Sequence, residues 1–153
     1  MTARHRIVAE ARSWLGTPFQ HQARLKGVGV DCIQLCIGVG EATGVLSVDA
    51  AVYRRFQGYG RQPSPRRMGE ALAMHCRRIE PADVLIGDMA WLEWRDELPM
   101  HLAIIGEADG ADGPRRTLIH AYARVGRVVE HGLVAEWPDR ISSYWRYPGL
   151  IDG

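Results

Sequence analysis

The apolar period of this chain changes once along its length, and that change limits the fold more than any other feature. Residues 3 to 15 place Ile7, Val8, Ala11, Trp14 and Leu15 at helical spacing, and Gly16-Thr17-Pro18 stops the pattern. From Asp83 onward the runs VLI, MAWLEW, HLAII, TLIHAYA and RVVEHGLV are short, rich in β-branched and aromatic residues, and separated by turn signals. Helices first and antiparallel strands second predict an α+β domain, with N-terminal helices packed on a C-terminal sheet.

Between these halves the chain is less regular. Gly16 to Val30 reads as an irregular loop, after which Asp31 caps a second helix that Gly44 ends. Gly38 and Gly40 fall inside that helix, where each costs about 1 kcal/mol against alanine, so something must pack very close to it. Residues 45 to 65, with Tyr53, Phe56, Tyr59, Pro63 and Pro65, read as a long loop. A third helix is expected from Arg66 to Arg78, burying Met68, Ala71, Leu72 and His75. The segment GEADGADGPRR predicts a hairpin with a longish loop between HLAII and TLIHAYA.

At 153 residues, 46% hydrophobic and 24% charged, one globular domain spanning 1–153 is expected. A net charge of +1 argues against a nucleic-acid partner. The locally basic middle (Arg54, Arg55, Arg61, Arg66, Arg67, Arg77, Arg78) reads as a solvated face. No apolar run approaches the ~18 residues that cross a bilayer, and the N-terminus lacks a signal-peptide pattern, so synthesis in the bacterial cytoplasm without a signal is expected. Three cysteines, an odd number, make no disulfide framework and point to a reducing compartment.

Cys32 is the residue placed for chemistry. At the first turn of a helix its sulfur lies near unpaired N–H groups and the positive end of the helix dipole, which favours the thiolate. The same N–H groups, around Asp31 and Ile33, form an oxyanion site. Asp31 opposes ionisation, by an amount expected to be small. Cys36, a turn deeper, reads as a buried apolar residue. A nucleophilic thiol needs a base, and the base needs an orienting group. His101 opens HLAII and His120 lies within TLIHAYA. Period-2 alternation puts His101, Ala103 and Ile105 on one face and Leu118, His120 and Tyr122 on one face of the partner strand. A zinc site from Cys32, Cys36, His75 and Cys76 is the weaker alternative, since structural zinc favours tighter knuckles, and neither metal nor cofactor is called for. His5 and His131 read as exposed, without partners. His21 stands in the loop before the cysteine, where it is either solvent-exposed or lines a cleft. Trp91 and Trp94 are left open between core and cleft wall.

The run ARSWLGTPFQHQARLKGVGVDCIQL resembles the nucleophile region of the NlpC-type cell-wall endopeptidases, which are papain-like cysteine peptidases. HLAII is similar to that family's catalytic-histidine strand, and LIHAYA to its third, polar position. The resemblance implies hydrolysis of peptidoglycan stem peptides at the bond between γ-D-glutamate and the diamino acid, with Cys32, His101 and His120 catalytic. HQARLKGVGVDC is closest to small members from phage and gene-transfer-agent tails, which implies tail proteins as partners and action at the cell wall as part of a virion-like tail. Phe19 stands where tyrosine is usual, so its hydroxyl is absent or replaced by His21 or Gln22. Gln34 and Ala82 replace glycines. An idle wall-binding or tail-hub component, and an amidase or acyltransferase using the same triad, are the rival expectations.

Overall fold

The computed structural model describes residues 2–47, 65–93 and 101–151. Tyr53, Phe56, Tyr59, Pro63, Arg54, Arg55 and Arg61 lie outside the described residues, as do Trp94, Pro99 and Met100. Helix α1 (Ala3–Ser13) starts at Thr2, whose hydroxyl accepts the His5 N–H at 3.2 Å. It buries Ile7, Val8 and Ala11, whereas Leu15, expected on the same face, falls past the helix end and is exposed. A small hairpin, β1 (Arg24–Leu25) and β2 (Gly29–Val30), leads into α2 (Cys32–Ala42), with Asp31 as its cap and Gly44 in the left-handed conformation just past its end.

Helix α3 (Pro65–His75) buries Met68, Ala71 and Leu72, but it ends before Arg77. The residues expected to finish it form strand β3 (Arg77–Ile79) instead. Strands β4 (Met89–Leu92), β5 (His101–Gly110), β6 (Gly113–Tyr122), β7 (Arg127–Gly132) and β8 (Ile141–Arg146) complete a six-stranded sheet in the order β3-β8-β4-β5-β6-β7, every pair antiparallel. The VLI run is not a strand; it follows a 3₁₀ turn (Pro81–Asp83) and enters a bend at Gly87. The loop between β5 and β6 is also short. Pairing continues to Gly110↔Gly113, leaving Ala111 and Asp112 as the turn, and Gly113 takes the positive φ of 110° that the turn requires.

Both faces of the sheet are buried. Met89, Leu102, Ile104, Ile119, Ala121, Val128 and Trp145 share a core with the helices, while Ala90, Leu92, Ala103, Ile105 and Leu118 form a second core with Val84, Leu133, Trp137, Ile141 and Tyr144. Trp91 packs against the first core, its ring against Gly69 of α3. A charged knot ties the layers. Asp88, fully buried, accepts two hydrogen bonds from Arg146 at 2.8 Å each, one from Arg4 of α1 at 3.0 Å and one from the Leu85 N–H at 2.9 Å.

The two helix glycines expected to mark a close approach do so. A Cβ on Gly38 would sit 2.9 Å from the Trp14 ring, and one on Gly40 would sit 2.7 Å from both Leu46 and the Tyr147 ring. Tyr147 then donates its hydroxyl hydrogen to the Cys36 carbonyl at 2.6 Å. Although alanine is the better helix former, Gly40→Ala is expected to lower stability by about 1–3 kcal/mol through overpacking. Thermal or urea unfolding checks this, and an unchanged or raised midpoint would contradict the packing account.

Candidate active site

The loop before α2 is stitched to the far end of the sheet. Gly16 and Phe19 donate to the carbonyls of Val128 and Gly126, and Val128 donates back to Thr17. The Gly27 N–H is held by the Thr17 hydroxyl at 3.0 Å, and Phe19, without the usual hydroxyl, packs against the core. Asp31 closes the loop with its two oxygens. One accepts the Gln34 N–H at 2.8 Å as the helix cap, and the other accepts the Gln22 N–H at 2.7 Å, with Gln22 held at a φ of 62°. His21 Nδ1 lies 3.9 Å from the same carboxylate, beside the cap. Asp31 and Ile33 are buried, so their contribution near the sulfur is backbone and charge rather than exposed side chain.

Cys32 is thereby fixed as the first residue of α2, partly buried against the main core. The N–H groups of Leu102, Ile33 and Cys32 itself reach its sulfur and stabilise the anion. They do not win. Burial first, and then the Asp31 charge, push the thiol up to about 12. The expectation that the helix start leaves a thiolate is corrected on this point: withdrawal from water and the adjacent carboxylate outweigh the N–H groups, and the Asp31 effect is not small. Cys36 is buried as expected, its thiol raised by burial, and Cys76 is pushed up to about 12 by the same cause. All three are free thiols, and among the described residues no group of three His, Cys, Asp or Glu could hold a metal ion.

On the sheet the two expected imidazoles meet. The β5–β6 register sets Ile105 opposite Leu118 and carries His101 and His120 onto one face, where His101 Nε2 and His120 Nδ1 lie 2.5 Å apart. Both rings are buried. Burial, and then the His131 ring, lower His101 to about 3; burial and the two neighbouring imidazoles lower His120 further still. Helix α2 covers the Leu102 and Ile104 face, whereas the imidazoles occupy the Ala103 and Ile105 face. His101 stands at the sheet's end, as the first residue of β5 and the one before the Leu102 N–H that touches the sulfur.

His131 differs most from its expected place. His131 is not exposed and unpartnered: its Nε2 lies 2.7 Å from His120 Nε2, its Nδ1 meets the Gly132 carbonyl at 3.0 Å, and Trp137 packs on its ring. A signal was available. A four-residue turn at 123–126 pairs Tyr122 with Arg127 and puts residue 131 on the same face as His120. His5 is exposed as expected, but it bonds the Thr2 hydroxyl at 2.6 Å. Tyr122 stacks on His120 with ring centres 5.1 Å apart.

No family model matches the sequence, and no curated protein does. Solved structures match its fold. An NLP/P60-family protein similar to lipoprotein from Staphylococcus aureus superposes with a TM-score of 0.61 at 16% identity, covering 95% of this chain and 41% of its own. An NlpC/P60-family protein from Bacillus cereus gives 0.62 at 15% identity, covering 95% and 40%. This chain thus spans about two fifths of the length of either. RipD of Mycobacterium tuberculosis, described as a non-catalytic NlpC/p60 domain protein adapted to peptidoglycan binding, gives 0.54 at 14% identity, covering 95% of this chain and 97% of its own. The fold is that of NlpC/P60 proteins, as the resemblance implied.

Two measurements follow from the shifted groups. Since the thiol is held near 12, the rate of Cys32 alkylation by iodoacetamide, mapped by mass spectrometry, is expected to rise about tenfold per pH unit to beyond about pH 9. A plateau below about pH 8 would mean a stabilised thiolate. For stability the sign comes from proton uptake. Between the ordinary 6.5 and the lowered value of about 3 for His101, the unfolded chain binds a proton that the folded chain refuses, and His120 acts in the same direction. Stability is therefore complete above about pH 6.5 and falls below it, by up to about 1.4 kcal/mol per pH unit for each imidazole. Thermal midpoints across this window check it; His120→Asn should flatten the slope, and an equally steep slope in that variant would refute the assignment.

Proposed function

We propose that this chain is a thiol hydrolase of peptidoglycan stem peptides, with Cys32 as nucleophile, His101 as base and His120 orienting His101. The observation that carries the reading is the placement of the Cys32 sulfur at a helix start, touched by the N–H of the residue after His101, which is itself bonded to His120. The resemblance of the LGTPF loop, the Asp31-Cys32 step and the two histidine strands supplies the substrate class. The NlpC/P60 fold supports it.

With the thiol raised and the imidazole lowered, the resting pair is neutral. Attack therefore couples two events. As sulfur bonds to the amide carbonyl carbon, the thiol proton passes to His101, and the carbonyl oxygen takes the negative charge under the N–H groups of Cys32 and Ile33. The C–N bond then breaks, and His101 returns the proton to the leaving amine. Water, deprotonated by His101, cleaves the thioester and restores the thiol. Asp31 holds the helix start and the Gln22 turn in place, and His21, partly exposed beside it, is the side chain assigned to meet the peptide.

Cys32→Ala is expected to abolish release of fragments from purified muropeptides while leaving the unfolding midpoint within a few degrees of the parent. Turnover undiminished in that variant would remove Cys32 from the mechanism. The expected bond lies between γ-D-glutamate and the diamino acid, which mass analysis of the products identifies. An acceptor-dependent product would instead indicate acyl transfer.

A second reading has its own support in the raised thiol and in the fold shared with a non-catalytic peptidoglycan-binding protein along nearly its whole length. It holds that the domain binds wall peptides without cutting them. Sedimentation with insoluble peptidoglycan separates the two, because a pure binder leaves the peptides intact and binds equally well as Cys32→Ala. Delivery to the wall on a phage or gene-transfer-agent tail belongs to the proposal and is supported by the wording HQARLKGVGVDC.

A further inference from the structure

The hydrogen bonds of the three clustered imidazoles run in one direction, and the direction is set at the end farthest from Cys32. The Gly132 carbonyl oxygen can only accept, so His131 Nδ1 must carry a hydrogen toward it at 3.0 Å. In a neutral ring this leaves Nε2 of His131 as an acceptor. His120 Nε2, 2.7 Å away, must then donate, which makes His120 Nδ1 an acceptor in turn. His101 Nε2 donates to that atom, and the unprotonated nitrogen of His101 is Nδ1. These proton positions are assigned from the partners, one bond at a time.

We propose that His131 is a positioning residue: by anchoring its Nδ1–H on the Gly132 carbonyl, it fixes the tautomers of His120 and His101 and leaves His101 Nδ1 as the basic atom. The inference rests on the reading of His101 as the general base, and it adds a fourth residue that no motif in the sequence marks. Burial supports the chain of reasoning, since His101 and His120 are held neutral and each carries one proton. The rings are also kept in register. Trp137 packs at 4.5 Å from His131 and 5.4 Å from His120, centre to centre, while Tyr122 stacks on His120 and meets Trp137 edge-on at 5.5 Å. With a second proton on His131 the direction reverses. Its Nε2–H would donate to His120, His120 Nδ1–H would donate to His101, and His101 would present an N–H where a base is needed.

Two variants separate position from packing. His131→Phe keeps a flat ring under Trp137 and removes the acceptor, whereas His131→Gln offers a carbonyl oxygen near the place of Nε2. Nitrogen-15 NMR of the parent protein is expected to show His101 and His120 protonated at Nε2 and bare at Nδ1. In His131→Phe that single pattern should give way to a mixture at both rings, and His131→Gln should restore it. In muropeptide cleavage, kcat should fall on the order of 100-fold in His131→Phe with KM nearly unchanged, and recover in His131→Gln. The NMR result stands apart from turnover. A protein that shows the expected tautomers but cuts nothing would sink the hydrolase reading and leave the His131 assignment intact. His101 protonated at Nδ1 in the parent, or tautomers unmoved by His131→Phe, would overturn it even in an active enzyme.

Discussion

The arrangement depends on how closely α2 lies against its neighbours. Two glycines remove the side chains that would hold Trp14 and Tyr147 away, and each aromatic ring settles within contact distance of the helix backbone. The loss of helix propensity, about 1 kcal/mol per glycine, is offset by buried aromatic surface and by the Tyr147 hydrogen bond to the Cys36 carbonyl. Seated this way, the helix presents its first turn to the start of β5. The position of one sulfur atom follows from that seating.

Asp31 shows how one side chain serves the fold at a cost to the chemistry. Its carboxylate satisfies two backbone N–H groups, one in the helix and one in the strained turn at Gln22, and so ties the loop to the helix start. The same charge stands beside a thiol already withdrawn from water and opposes its ionisation. A neutral sulfur is the consequence. In the proposed reaction, such a thiol would give up its proton only as a carbonyl arrives.

The sheet treats polar groups with equal economy. Asp88 gathers two arginines and a backbone N–H at the junction of α1, β8 and the bend before β4, so that a carboxylate with no exposure is fully paired. The three imidazoles likewise satisfy one another and end on a backbone carbonyl. Buried acceptors of this kind persist because donors reach them.

Much of this was legible in the chain itself. Helical spacing ending at Gly16-Thr17-Pro18, the Asp31 cap before Cys32, the glycine pair in α2 and the parity of His101 and His120 are local patterns, governed by repeats of 3.6 and 2 residues. What lay beyond local pattern was misread. Arg77 to Ile79 continue a helical composition yet pair with β8, a strand the sequence reading did not anticipate, because an edge strand is defined by its partner. His131 looked like surface until the β6–β7 turn length set its register. The thiol likewise could not be judged from a helix start, since its ionisation balances dipole against burial, and burial belongs to the packed whole. Short-range periodicity and capping were enough to place α1, α2 and the strands that carry His101 and His120, and to set which face of those strands the two histidines share. How far those groups are removed from water, and which imidazoles meet, came from packing, because both depend on residues distant in the chain.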